Sequence, residues 1–410
     1  MKSIIRYTFT VLFILISFGQ AFGEEKTFFM KGTVVDYTTQ ESIENVNVFL
    51  SKTTFNTTSD KDGRYMIEDI LPGNYDMVFS ADGYESVVVN VNIRDTEVIE
   101  IDAFLVKETS AEETVPSDRI NDDEWKENLE RFKEIFLGST SNAANSEVIN
   151  PEVLSFEVDN RNRLSASADN ELQIINNALG YELFVTIQSF SWDLRSDTGQ
   201  FLNLIRMKEL KPASAYENSK WMANRASTFD ESLRKFLYTL TLDSPSRGAG
   251  AYTYNYVAGE YHSLQVSSAL SNSYGVKMRG PQSGKFVEVS NQETVSKVFP
   301  EAEFSDIHLF EIQSNYREVA VVPNYNRPIQ FDEFAYDSWI RGYLPNPAAK
   351  KLSYIGHTGD KNSNKYLVVD RYGNLLNPLD ITVSGYWAQH RLADFLPFNY
   401  QRGYEGLTSM

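Results

Sequence analysis

Four histidines carry most of the acid–base and metal chemistry this chain could do near neutral pH: His262, His308, His357 and His390. His308-Leu309-Phe310-Glu311 is a His-x-x-Glu, and His390 follows 82 residues later. A His-x-x-Glu with a distant histidine can hold zinc through three protein ligands and leave a fourth position to water, the chemistry of metal-assisted peptide hydrolysis. The neighbouring residues oppose that reading. Asp306–Ile312 reads as a strand, where residues three apart point to opposite faces. No other histidines fall at the helical i, i+4 spacing.

Other chemistries leave weaker traces. The chain has no cysteine, which excludes disulfides, zinc-thiolate sites, thiol nucleophiles and a lipid-modified N-terminal cysteine. No serine sits in a Gly-x-Ser-x-Gly elbow, and Gly248–Gly250 stands without a following helical pattern. Carboxylates are plentiful, but nothing singles out a glycosidase-like pair. Tyr252, Tyr254, Tyr256 and Tyr261 could stack on sugars, yet their alternation is also that of a half-buried strand, and packing is the reading preferred. Asp60-x-Asp62-Gly63 resembles the start of a calcium loop, but its glycine is at position four and later ligands are missing, so it reads as a tight hairpin turn. No catalytic, cofactor-binding or metal-binding residue is assigned, and no cofactor is expected.

Bulk properties narrow the partners. The formal net charge is −18, and −15 of it falls within Glu24–Glu124. Such acidity argues against nucleic acid and anionic lipid as partners. The 42% apolar fraction and 13% aromatic content suffice for buried cores in two or three domains.

The elements come next, in chain order. Lys2 and Arg6, the apolar run Phe9–Phe18 and Ala21-Phe22-Gly23 form a signal peptide over residues 1–23, cleaved after Gly23. No later stretch is apolar enough for a membrane helix, so the mature chain is expected to have no transmembrane span. Residues 24–106 alternate short period-two runs with the turn signals Asp62-Gly63, Pro72-Gly73-Asn74 and Asp82-Gly83. About seven strands are expected, in an antiparallel sandwich whose sheets each have one dry and one wet face. Residues 107–120 are an acidic linker with no apolar periodicity.

The region 121–410 is expected to be α+β, with an antiparallel sheet, a few helices and a point of subdivision near 244–251. A helix capped by Asn121 or Asp122 buries Trp125, Leu129, Phe132, Ile135 and Phe136 and stops at Gly138. A meander follows through Leu154–Asp159, Leu164–Ala168, Leu172–Asn176 and a strand from Tyr181. A second helix is expected over about Ala215–Leu240. Strands are expected at Ser263–Val266, Val276–Arg279, Phe286–Val289, Ile307–Ile312, Val319–Val322 and Tyr366–Asp370, with a short closing helix from Trp387 to Leu396.

Gly32-x-Val34-x-Asp36, Ile43-Glu-Asn-Val46-x-Val48, Ser59-Asp60-x-Asp62-Gly63-x-Tyr65, Pro72-Gly73-x-Tyr75 and Gly83-Tyr84-Glu85 together resemble the carboxypeptidase-regulatory-like domain. The resemblance covers about Thr27–Val106 and implies a seven-stranded transthyretin-like sandwich, a folding or interaction module with no catalytic residues to carry over. Similar domains in Bacteroidota envelope proteins often precede TonB-dependent receptor plugs and barrels. This chain is short for such a barrel and ends in Leu407-Thr-Ser-Met410 rather than an aromatic strand residue. In metallocarboxypeptidases the regulatory domain follows the catalytic one, and the gap to the third zinc ligand is longer. Phe136-Leu137-Gly138 through Ser141-Asn-Ala143, Asn150-Pro151-Glu152-Val153-Leu154, Asn176-x-Ala178-Leu179-Gly180-Tyr181, Trp221-x-x-Asn224-Arg225 and Ser232-Leu233-Arg234-x-Phe236-Leu237 resemble a group of secreted Bacteroidota proteins with no assigned activity. The expectation is a non-enzymatic exported protein, periplasmic or envelope-associated, contacting an envelope protein or glycan. The alternative is an envelope hydrolase acting on peptide or glycan. A pocket of converging acids would favour the hydrolase, and a flat apolar patch or exposed sheet edge the interaction protein.

Overall fold

The computed structural model describes residues 27–94, 98–108, 122–242, 274–278, 284–288, 307–314, 318–323, 353–357, 366–376 and 378–401, with isolated positions between 290 and 297. The signal segment, most of the linker, the Ser263–Val266 strand, the 244–251 boundary, His262 and the tyrosine cluster lie outside them.

The front domain is a sandwich built from β1 (Phe28–Asp36), β2 (Asn47–Leu50), β3 (Asn56–Thr58), β4 (Arg64–Ile70), β5 (Gly73–Ser80), β6 (Val87–Ile93), β7 (Val98–Glu100) and β8 (Ala103–Leu105). One sheet runs β4-β1-β7 with β8 also on β1, and the other runs β3-β2-β5-β6. Period two puts Phe28, Met30, Val34, Val48, Tyr65, Met77, Phe79 and Ile93 in one core between them. The turn signals are real, but Ser59–Gly63 and Leu71–Pro72 carry the chain from one sheet to the other instead of closing hairpins. At the first corner the Asp60 carboxylate accepts from the amides of Asp62 and Arg64, both at 2.9 Å.

The sandwich is not purely antiparallel, because β7 and β8 both pair with β1 in parallel. They are one closing strand broken at Ile101-Asp102. Gly32 makes the break fit, since a Cβ there would lie 1.8 Å from the Ile101 carbonyl oxygen. Tyr65 donates its hydroxyl to that oxygen at 2.6 Å, and the Asp102 carboxylate takes the Thr33 amide and hydroxyl at 2.8 and 2.7 Å.

At the far end of β1 the buried Asp36 carboxylate accepts from the amides of Thr39 and Thr38 and the hydroxyl of Tyr84, with the Lys107 ammonium 3.6 Å away. The Thr39 amide, followed by these other partners, holds its carboxyl below the usual aspartate range. A depressed folded-state value adds stability above the unfolded aspartate pKa of about 3.9 and loses it as pH falls through the folded value. Asp36→Asn is therefore expected to melt lower than wild type at pH 7, with the gap closing below about pH 4. Melts at pH 7 and pH 3 check this, and a gap independent of pH would refute it.

The back region opens with α1 (Asp123–Leu137), capped by the Asp122 carboxylate on the Glu124 amide and ended at Gly138. A six-stranded antiparallel sheet follows, made of β9 (Ser146–Val148), β10 (Leu154–Val158), β11 (Arg163–Ala168), β12 (Leu172–Asn176), β13 (Tyr181–Asp193) and β14 (Thr198–Glu209). The apolar face of α1 lies on it, with Phe132 stacked on Phe136 and both rings against Phe190. The expected helix over Ala215–Leu240 is two helices, α2 (Ala215–Glu231) and α3 (Leu233–Leu242). Ser232 is the joint: its hydroxyl donates to Phe229 O at 2.7 Å and accepts from the Lys235 amide at 3.0 Å, ending one helix and capping the next.

Beyond α3 come β15 (Tyr274–Met278), β16 (Gly284–Glu288), β17 (Ile307–Ser314), β18 (Glu318–Pro323), β19 (Ser353–His357), β20 (Tyr366–Asp370) and β21 (Ile381–Gly385). They form two antiparallel sheets, β15-β18-β19-β21 and β16-β17-β20. Phe236, Leu237 and Leu240 of α3 pack against Phe310, Ile355, Leu367, Val369 and Trp387. The closing helix is instead two 3-10 turns, Tyr386–Gln389 and Leu392–Asp394, because His390 is extended and its backbone bridges to Gly138. Among the described residues no helix is long and apolar enough to cross a membrane.

The front sandwich is docked on the back sheet through backbone bonds. The Lys52 amide donates to Ile205 O at 2.7 Å, and the Met207 amide donates to Thr53 O at 3.3 Å, so the turn after β2 pairs with the free edge of β14. The Phe398 amide donates to Lys52 O, the Thr54 amide donates to Asn399 Oδ1, and Asn399 Nδ2 donates to Thr54 Oγ1. Phe49 and Val78, on the outer face of the second front sheet, are buried against Leu204. That face was expected to be wet. The docking dries it at these two residues, and it buries β14 on both faces from Asn203 to Met207.

Candidate functional site

The most specific side-chain constellation reads a backbone turn. The turn from Asn176 to Tyr181 presents four successive carbonyls outward, and α2 meets all of them. Trp221 Nε1 donates to Asn177 O at 2.9 Å, Asn224 Nδ2 to Ala178 O at 2.8 Å, Arg225 Nε to Leu179 O at 2.7 Å and Arg225 Nη2 to Gly180 O at 3.2 Å. The guanidinium also lies 4.0 Å from the Tyr181 ring centroid. Two motifs noted in the sequence, Trp221-x-x-Asn224-Arg225 and Asn176-x-Ala178-Leu179-Gly180-Tyr181, are thus each other's partners. Gly180 has φ +70°, and a Cβ there would lie 2.3 Å from the Trp221 ring. Gly180→Ala is expected to cost about 2 kcal/mol, from the left-handed backbone and displacement of the indole. Urea titration with tryptophan fluorescence measures it, and an unchanged midpoint would contradict the clamp.

Arg234 is a second clamp. From the first turn of α3 it donates to Pro397 O (2.7 Å), Phe398 O (2.8 Å), Tyr400 O (2.9 Å) and Tyr372 O (3.3 Å). Burial pulls its guanidinium down to about 10, and the Asp370 charge opposes that. Asp370 is itself buried, accepting from the Tyr372 and Asn374 amides and from Asn374 Nδ2, and burial pushes its carboxyl up.

Beside these clamps lies an open cleft of about 1430 Å³ between the docking turn and the C-terminal segment, reached by Lys52, Trp192, Phe201, His390, Asp394 and Phe398. On its floor the Asp394 carboxylate accepts from Thr140 Oγ1 (2.7 Å) and Asn142 Nδ2 (2.8 Å), with His390 Nδ1 at 3.7 Å. Burial pushes the Asp394 carboxyl up, with Thr140, His390 and Asn142 opposing. The His390 ring meets the edge of Tyr386, whose hydroxyl donates to Glu231 at 2.6 Å. Burial lowers the Lys52 ammonium, and Asp76 pulls it back. The acid on the cleft floor, Asp394, is hydrogen-bonded within the fold.

The histidines singled out in the sequence are scattered. His308 lies on β17 opposite Val369, stacked on Phe310, and Glu311 lies opposite Tyr366 in an unbroken register. The two point to opposite faces of the strand. His390 belongs instead to the cleft with Asp394. Among the described residues no group of three or more histidines or acids is placed to hold a metal. The cleft acid Asp394 had no signal in the sequence, whereas the clamp Arg225 was visible only as part of the Trp221-x-x-Asn224-Arg225 motif. Arg206, between Ile205 and Met207, did: an arginine inside an apolar run is a buried-cation signature.

The fold and the cleft define a β-sandwich module locked onto an α+β body. The family model described as the CarboxypepD_reg-like domain matches residues 30–115, which covers the sandwich. No curated protein matches the chain. Among solved structures it is similar to the pilus 2b backbone protein of group B streptococcus at 17% identity and a TM-score of 0.18, covering 20% of this chain and 41% of that one. It is similar to a type II cohesin–X-dockerin complex from Acetivibrio cellulolyticus at 19% identity and a TM-score of 0.19, covering 28% and 79%. It is also similar to a DUF3823 family protein from Bacteroides ovatus at 11% identity and a TM-score of 0.16, covering 45% and 83%. These likenesses are partial, and none bears on what this chain binds.

Proposed function

We propose that the protein is an exported, non-enzymatic interaction protein of the cell envelope, whose front sandwich presents one free sheet face to a protein partner. The observation that carries this is the asymmetry of the sandwich. One outer face is covered by β14 at Phe49 and Val78, while the other exposes Phe29, Met66, Val98 and Phe104, each between 37% and 51% accessible. Phe29 and Val98 are direct cross-strand neighbours, and Met66 lies opposite Lys31 on the same sheet. Large apolar side chains left exposed on one sheet face, here interleaved with Lys31 and Glu100, are a feature of interaction surfaces. The signal segment read at residues 1–23 supports export, and the clamps that use Arg225 and Arg234 on backbone carbonyls support a rigid platform. A hydrolase reading rests on the His390–Asp394 pair in the cleft.

The test compares cross-linked partners of wild type with those of a Met66→Glu/Val98→Glu variant in the cell-envelope fraction. Loss of one defined partner, with circular dichroism unchanged, is expected. The same partners captured by both proteins would sink the free-face reading. Peptide or glycan cleavage by purified protein, abolished by Asp394→Asn, would replace it with the hydrolase.

A further inference from the structure

The second front sheet ends in β6, Val87-Val88-Val89-Asn90-Val91-Asn92-Ile93, which pairs with β5 and, among the described residues, with no other strand. We infer that β6 is a self-association edge, on which a second copy of this chain adds its own β6 antiparallel across a twofold axis at Asn90.

Three observations support this. First, among the described residues the edge lacks the usual protections. It is seven residues long, has neither charge nor proline, and runs beside β5 from Gly73↔Ile93 to Phe79↔Val87 without a bulge. The edges of the other front sheet are protected, with Arg64, Glu68 and Asp69 on β4 and Glu100 and Asp102 at β7–β8. Second, docking of the back region stops one strand short. Val78 on β5 is buried against Leu204, while its cross-strand partner Val88 is 44% exposed. Third, the strand is complementary to itself. A twofold at Asn90 sets Val87 against Ile93 and Val89 against Val91, which continues the apolar layer, and sets Val88 against Asn92 on the outer side. The residue that meets itself on the axis is uncharged, and its amide is already anchored by donation to Asp76 Oδ1 at 3.1 Å. In a chain of net charge −18, a neutral edge is where two copies approach with least repulsion. Joining seven residues buries little area, so the pairing is weak and concentration-dependent.

Sedimentation velocity of the purified full chain over a hundredfold concentration range is expected to show the weight-average mass rising from monomer towards dimer. Asn90→Lys places like charges on the axis while pairing with Asp76 within each copy, so it is expected to keep the melt and stay monomeric. The chain has no cysteine, so Asn90→Cys serves as a reporter: two copies meeting on the axis form a disulfide-linked dimer under mild oxidation, whereas Asn92→Cys, set opposite Val88, does not. A monomer at every concentration overturns the proposal. So does a dimer that persists in Asn90→Lys, or that cross-links equally through both cysteines.

Discussion

Replacing Arg234 by methionine is expected to lower the stability of the back region by about 3–5 kcal/mol, the range for removing one partner of a buried charge network. Methionine keeps much of the side-chain volume, so the loss isolates the polar contacts. Four carbonyls, from Tyr372, Pro397, Phe398 and Tyr400, lose a charged donor together, and the buried Asp370 carboxylate loses the nearby cation that offsets its burial. Arg234→Lys is expected to recover only part, because one ammonium cannot reach four acceptors set in a guanidinium's plane. Urea unfolding followed by tryptophan fluorescence reads both variants. A loss below about 1 kcal/mol for the methionine variant would mean that water replaces the clamp.

The second large effect is at the docking face. Leu204 is buried between Phe49 and Val78, outside the main core of its own sheet. Leu204→Asp would bury a carboxylate against two apolar side chains, and about 3–5 kcal/mol of docking free energy is expected to be lost. Both cores stay intact, so the result is separation rather than unfolding. Wild type is expected to melt in one transition and the variant in two, one belonging to the front sandwich. Differential scanning calorimetry decides it, and one unsplit transition at a lower temperature would show that the parts cannot fold apart.

The same interface marks where sequence reading stops. The sandwich core was legible because its inward residues recur at every second position between turn signals, and α1 because Trp125, Leu129, Phe132 and Phe136 repeat at helical spacing. β14 was missed. Docking buries Asn203 to Met207 on both faces, so the alternation that marks a half-wet strand is absent there. Arg206 adds to the difficulty: it is a cation held between Phe184 and Phe49 and paired with Glu171 at 2.6 Å, and only the assembled interface explains it. The break at Ser232 was hidden for the opposite reason. Phe229, Leu233, Phe236 and Leu240 keep helical spacing through it, while Ser232 turns to φ −82°, ψ 157°. The short strands β19 and β21 offered too few residues for a period. The back-region motifs were visible one at a time, but not that Trp221, Asn224 and Arg225 read the carbonyls of the Asn176–Tyr181 turn, because that match is made by the backbone.

The bonds between Thr54 and Asn399 span 345 positions of the chain. A ribosome delivers the sandwich first, and its core closes from residues within the first 105, so this part can form while the remainder is still being made. Its docking turn has nothing to hold until β14 emerges, and its last contacts wait for Phe398 and Asn399. Contacts of such high sequence separation form slowly, because the intervening loop must close before they add stability. Completion of the fold therefore registers that synthesis has passed residue 399. A product truncated before residue 398 would carry a folded front sandwich with Phe49 and Val78 less securely covered, a surface that chaperones and proteases can recognise.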